Sequence, residues 1–207
     1  ADLLETLKNN EVAIIIGVPR LYEVIYTGLK PKVFASLAGR TFFKILSTFK
    51  SQSLSKKIFK KVHQGFGGNL QILVSGGAAL SPEVGKFFAT MGFKVLEGFG
   101  MTESAPMITF NRPHNFRIGT PGQLLVGVQA EIRDGEIVVK GPNVMQGYYN
   151  RPEETAAVLK DGWLYTGDLG YFDKEGFLFI TGRKKEIIVL SNGKNINPVD
   201  IEEKLEK

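Results

Sequence analysis

The chain has no cysteine, which excludes a disulfide framework and any thiolate-held metal, and fits a reducing cytoplasm. No apolar run reaches the roughly 18 residues needed to cross a bilayer. The opening Ala1-Asp2-Leu3-Leu4-Glu5 lacks the basic stretch of a secretory signal. Histidine is scarce. His63 and His114 are isolated, neither sits in a base-like setting, and both read as structural. One absence is local: from Val24 to Pro82 there is no Asp or Glu, while nine Lys and Arg occur. That stretch outweighs the formal net charge of +5, so the remainder of the chain is net −4.

The basic stretch carries Lys30, Lys32, Arg40, Lys44, Lys50, Lys56, Lys57, Lys60 and Lys61, interleaved with Phe34, Phe42, Phe43, Phe49 and Phe59. Two readings stand. It is a solvated helical face with its Phe residues in the core, or region 30–62 makes peripheral contact with an anionic membrane surface or an acidic ligand. No nucleic-acid recognition motif accompanies the charge, so nucleic acid is not an expected partner.

What is present is a globular composition, 43% hydrophobic and 23% charged over 207 residues. The β-branched run at 12–16 predicts a strand buried on both faces. Pro19 opens a helix through Tyr26, and more helix is expected over 32–64, interrupted near Gly39 and at 51–55. Residues 71–74 and 94–97 predict two further strands, separated by a helix that Ser81 caps and Pro82 starts. Alternation of strand and helix points to a parallel sheet covered by helices. Past Pro121 the pattern changes to short strands: a hairpin turning at Asp134-Gly135, a brief helix at 152–159, then strands at 163–165, 170–172 and 177–181. A last hairpin turns at Ser191-Asn192-Gly193, and Asn197-Pro198 opens a final helix. With no initiator Met and a charged, helix-like ending, both ends read as cut from a longer protein.

Three segments carry candidate chemistry. Ser75-Gly76-Gly77-Ala78 follows a strand, and its glycines let backbone approach a planar ligand; a tight strand-to-helix turn explains it equally well. Glu97-Gly98-Phe99-Gly100-Met101-Thr102-Glu103 offers backbone N–H groups, a hydroxyl for a phosphate oxygen and a carboxylate for Mg²⁺. It lacks the spacing of a Walker loop or a dinucleotide fingerprint. Tyr165-Thr166-Gly167-Asp168-Leu169-Gly170 places one Asp, flanked by glycines, where it can accept two hydrogen bonds from a ribose diol.

Taken in order, these segments resemble the adenylate-forming superfamily of acyl-CoA synthetases, luciferases and peptide-synthetase adenylation domains. Residues 97–103 look like its aromatic-Gly-x-Thr-Glu motif. Gly135-Glu136-Ile137, Gly141 and Gly147-Tyr148 look like a second block, and Tyr165-Thr166-Gly167-Asp168 like a third. Thr181-Gly182-Arg183-Lys184-Lys185-Glu186, with Gly193-Lys194-Asn195, resembles the hinge. Val18-Pro19-Arg20-Leu21-Tyr22-Glu23 and residues 73–81 are most similar to the long-chain fatty acyl-CoA synthetases.

The resemblance implies an α/β fold: part of the N-terminal domain, a parallel sheet with helices over 1–118, then a small antiparallel β unit over 119–182, then hinge and the start of a C-terminal domain over 183–207. It implies that Gly76, Gly77 and Ala78 border adenine, with Phe99 stacked on it and Glu97 and Gly98 lining the pocket. Gly100 and Met101 continue the nucleotide loop, Thr102 holds the α-phosphate and Glu103 ligates Mg²⁺. Asp168 and Arg183 contact the ribose, Lys185 marks the hinge, and Gly193 and Lys194 approach CoA. The implied reaction joins a fatty acid, ATP and CoA through an acyl-adenylate, in the cytoplasm or at a membrane. The alternatives are an aryl, medium-chain or carrier-linked acid, or a nucleotide-binding module without catalysis. The family's Gly-rich, Lys-ending pyrophosphate loop does not occur before residue 76, and its C-terminal catalytic Lys is expected beyond Lys207. Its acyl-tunnel helix is not identifiable either. The chain alone is therefore not expected to form acyl-adenylate.

Overall fold

The computed structural model describes residues 3–49 and 51–186, and the backbone of 188–189 and 195–196. The Gly193-Lys194 loop and the final helix lie outside the described residues. The chain divides into two compact units. One comprises Ala1–Phe99 with Asn111–Gly122, the other Gly100–Phe110 with Gln123–Lys207.

The first unit holds helix α1 (Leu3–Asn9), strand β1 (Ile14–Gly17), helices α2 (Pro19–Phe34), α3 (Leu37–Phe49), α4 (Gln52–Ile58) and α5 (Lys60–Gly65), strand β2 (Ile72–Ser75), helix α6 (Pro82–Thr90) and strand β3 (Lys94–Phe99). The three strands are parallel and in register, with Ile15, Leu73 and Val95 side by side, as the βαβ alternation predicts. Those three face a helix-covered core in which Phe43, Phe87, Phe88 and Phe93 pack largely edge to face. Tyr22 is locked among them. Its hydroxyl donates to the Val74 carbonyl at 2.6 Å and lies 3.2 Å from that of Ile15, tying α2 to both strands. Burial pushes the phenol up to about 12.

The expectation that the first strand is buried on both faces is overturned: Ile14 is 50% and Ile16 79% exposed. β1 is an edge strand, and within this unit helices cover only the Ile15 side. The helix breaks also move. α2 continues past Tyr26 through Pro31 to Phe34, and Gly39 lies inside α3, at a position where an added Cβ would strike the Val33 carbonyl. α4 begins where Ser51 accepts from the Leu54 N–H.

The second unit is antiparallel. Strands β4 (Thr109–Phe110) and β5 (Gln123–Leu124) pair, and β6 (Gln129–Arg133) turns at Asp134 and Gly135 into β7 (Glu136–Lys140). Both turn residues have positive φ, 51° and 80°, which Asp-Gly accommodates. Helix α7 (Pro152–Val158) and the short β8 (Leu159–Lys160) lead to β9 (Trp163–Phe172) and β10 (Leu178–Arg183). The sheet order is β10-β9-β7-β6, and β11 (Ile188–Val189) pairs with β12 (Asn195–Ile196) as the expected last hairpin requires. The two strands expected at 163–165 and 170–172 are one. A bulge in β9 absorbs the glycine-rich break between them. No helix among the described residues is long and apolar enough to cross a membrane.

Candidate functional site

In the first unit, the ends of β2 and β3 place two of the candidate segments side by side, since Ser75 is the register partner of Glu97. β3 continues past the expected 94–97 to Phe99, so Gly98 and Phe99 are strand residues and not part of a loop. Gly77 and Ala78 are exposed, and Gly76 and Phe99 are half-buried. Ser75 Oγ, at the strand end beside the glycines, is buried with no hydrogen-bond partner among the described residues. Glu97 is buried and accepts from the Gly119 N–H at 2.9 Å and from the Leu80 N–H. Desolvation raises its carboxyl to about 7, against the lowering effect of those two N–H groups. It therefore holds the 111–122 loop as well as lining the strand end. Asn111 fixes that loop from within, its Nδ2 donating to the Thr120 carbonyl at 2.6 Å.

In the second unit, Gly100 leads through Met101 into a single 3-10 turn, Thr102–Ser104. Gly100 has to be glycine because a Cβ there would collide with the Pro106 carbonyl. Ser104, fully buried, closes the turn by donating to the Met101 carbonyl while accepting from the Met101 N–H. Thr102 is left exposed and Glu103 half-buried. A segment after β7 clasps the turn: Met145 N–H donates to the Glu103 carbonyl, and Asn143 Nδ2 to those of Ser104 and Met107. Tyr148 completes the arrangement, its hydroxyl donating to Glu103 Oε1 at 2.7 Å. A cavity of about 280 Å³ opens among Thr102, Glu103, Gly147 and Tyr148. Sequence reading recorded Gly147-Tyr148 as part of a block and assigned the tyrosine no role.

Asp168 sits within β9, not after a strand as expected. Opposite it the register shifts: Val138 pairs with Tyr165 and Glu136 with Leu169, so β9 carries extra residues at Thr166, Gly167 and Asp168. Three hydrogen bonds hold this bulge. Thr166 Oγ1 donates to the Ile137 carbonyl, Asp168 N–H donates to Thr166 Oγ1, and Gly167 N–H donates to Glu136 Oε1. Gly167 adopts φ 75°, which few other residues tolerate. Glu136, buried, also receives Lys184 Nζ at 2.8 Å. Glu136 belongs to the second sequence block, where nothing local signals that it supports the bulge.

The bulge presents the Asp168 carboxylate to Arg183, Nε to Oδ1 2.8 Å. Burial raises the Asp168 pKa, and the Arg183 hydrogen bond opposes that rise. The Arg183 pKa is raised chiefly by its bond to Asp168, with further attraction from Glu186 and Glu103. Lys185 is exposed in the turn after β10, and Gly193 and Lys194 lie outside the described residues. Among the described residues no group of three or more His, Asp or Glu side chains could hold a metal by itself. One carboxylate beside an exposed hydroxyl fits Mg²⁺, which keeps water and substrate phosphates in its shell and takes few protein ligands.

The sequence matches the AMP-binding enzyme family over residues 1–149. It is 33% identical over 223 residues to the long-chain-fatty-acid–CoA ligase FadD15 of Mycobacterium bovis, a match covering 99% of this chain and 37% of that protein. With the long-chain-fatty-acid–CoA ligase of Bacillus subtilis it shares 44% identity over 153 residues, 66% of this chain and 27% of the relative. The fold matches the O-succinylbenzoate coenzyme A synthetase of Bacillus subtilis in complex with ATP and magnesium ion, with TM-score 0.71 and 28% identity over 99% of this chain and 38% of that one. The chain belongs to the AMP-binding enzyme family, the adenylate-forming ligases. It spans well under half the length of these relatives.

Proposed function

We propose that the chain is a section of an ATP-dependent fatty acid–CoA ligase that carries nucleotide-binding residues in both of its units. The observation that carries this reading is the Asp168–Arg183 pair on the β9 bulge, in the same unit as the Thr102–Glu103 turn closed by Tyr148. In the proposed assignment Gly76, Gly77, Ala78, Glu97, Gly98 and Phe99 serve the adenine. Gly100, Met101 and Thr102 serve the α-phosphate, Asp168 and Arg183 the ribose hydroxyls, and Lys185 the hinge. The same reading keeps the divisions 1–118, 119–182 and 183–207, with Gly193 and Lys194 on the CoA side.

The chemistry has two steps. A carboxylate oxygen bonds to the α-phosphorus of ATP as pyrophosphate leaves. A CoA thiol then bonds to the acyl carbon, AMP leaves and the thiol proton passes to solvent. The first step brings two anions together, so alignment and charge neutralisation matter more than proton transfer. The chain's own residues supply alignment: the Thr102 hydroxyl donates to a phosphate oxygen, and the Asp168 carboxylate accepts from the ribose diol. Glu103, its carboxylate oriented by Tyr148, would hold Mg²⁺, which when bound would supply charge neutralisation.

The fatty acid as substrate is supported by relatives with that activity in their names. A second reading, an aryl acid, is favoured by the fold match to an O-succinylbenzoate synthetase. A non-catalytic module is disfavoured because Thr102, Glu103, Asp168 and Arg183 are all retained. Thioester formation by the longest protein encoded with this sequence, assayed across acids of graded chain length and one aryl acid, separates these readings. Preference for long-chain acids is expected; preference for the aryl acid, or no thioester from any acid, overturns the proposal.

A further inference from the structure

Within the first unit, residues of α1 to α5 line a groove of about 1090 Å³ that includes none of the proposed nucleotide residues. Val24, Phe42 and Ile58 line it and are exposed. Lys32, Lys60 and Lys61 line the same groove, and no acidic side chain does so among the described residues. None of these lysines makes an ion pair with a described residue. From the groove, α3 continues as an outward apolar stripe of Phe42, Ile45 and Phe49, spaced i, i+3, i+7 and 44%, 43% and 74% exposed. The two readings of the basic stretch thus divide between its aromatics. Phe34, Phe43 and Phe59 pack inward, while Phe42 and Phe49 do not.

An exposed apolar stripe this size marks an interaction surface. Its charge selects the partner. Lys32, Lys60 and Lys61, with no acid beside them in the groove lining among the described residues, repel a second copy of the same face and attract a surface that is both apolar and anionic. We propose that this face docks on an anionic lipid bilayer, with α3 lying in the interface, an acyl chain entering the groove, and Lys32, Lys60 and Lys61 against the headgroups. The contact is independent of the nucleotide residues and does not rest on the ligase reading.

The absence of cysteine makes the test direct, because Phe49→Cys creates a single labelling site on an exposed side chain. The labelled chain is titrated with neutral phosphatidylcholine vesicles and with vesicles containing about a third phosphatidylglycerol. The expected result is a blue-shifted dye and co-sedimentation with the anionic vesicles only. Partitioning should weaken on the order of tenfold in a Lys32→Glu, Lys60→Glu, Lys61→Glu variant, and similarly for the unsubstituted chain in high salt. The salt arm needs no charge substitution and so does not depend on the triple variant folding. Equal partitioning into both vesicle types, none into either, insensitivity to salt, or self-association through this face in place of lipid binding overturns the proposal.

Discussion

Asp168 and Arg183 are direct register partners across β9 and β10, and the carboxylate of the first accepts from the guanidinium of the second at 2.8 Å. The acid is 7% exposed and the base 56%, so the aspartate depends on the arginine far more than the reverse. Removing the arginine strands a buried carboxyl. Because the guanidinium is largely solvated, Arg183→Ala is expected to cost only about 1–2 kcal/mol. Asp168→Ala combined with Arg183→Ala should recover part of that loss. Urea unfolding of the two single variants and the double variant measures the coupling; strictly additive losses would show that the pair contributes nothing to the folded state.

Glu136 supports the bulge that carries Asp168. Glutamine keeps one oxygen for the Gly167 N–H but turns an amide donor toward Lys184, whose ammonium is also a donor. Glu136→Gln should lower stability by about 1–3 kcal/mol, and Lys184→Gln, at the exposed end of the pair, by less than about 1 kcal/mol. Denaturant midpoints for both variants check the asymmetry. Equal losses would mean that the bulge does not depend on Glu136.

Tyr148 holds one oxygen of the Glu103 carboxylate, and that bond also raises the tyrosine's pKa. Both groups are near the surface, so Tyr148→Phe should barely change stability. If Glu103 is the Mg²⁺ ligand, the variant should weaken the Mg²⁺-dependent part of nucleotide binding by about tenfold and leave metal-free AMP binding unchanged. A magnesium titration at fixed nucleotide separates the two; equal loss with and without metal would count against this role.

Glu97 gives stability a pH dependence of unusual sign for a carboxylate. Its pKa rises from 4.5 to about 7 on folding, so the folded state binds more protons and loses stability as pH climbs through that window. His63 acts in the opposite sense. Burial lowers its pKa below 6.5, so it costs stability as pH falls beneath that value. Between about pH 6.5 and pH 8 the glutamate term should remove about 1 kcal/mol, partly offset by the fading cost of His63. Glu97→Gln should remove that loss over the interval. A loss that survives the substitution would locate the titrating group elsewhere.

Much of this architecture is legible in local chemistry. Short apolar runs between helical stretches predicted the parallel strands, and Asp134-Gly135 predicted its hairpin because both residues tolerate positive φ. Local pattern failed where long-range contacts decide. Three consecutive isoleucines cannot report whether one face or two are covered, so the exposure of Ile14 and Ile16 was missed. Glycines at 167 and 170 break the alternation of β9, and only the distant Glu136 and Ile137 reveal that the strand continues through a bulge. The Glu103–Tyr148 contact joins residues 45 positions apart and has no local signature. Candidate site residues were visible as motifs, whereas the groups that position them were not.

Titration calorimetry of the chain with AMP, alongside Asp168→Ala, bears hardest on the proposed nucleotide role. The expected result is weak but saturable binding by the unsubstituted chain, reduced roughly tenfold or more when the buried acceptor is removed. Absence of saturable heat from the unsubstituted chain, or an Asp168→Ala isotherm that overlays it, would contradict the assignment.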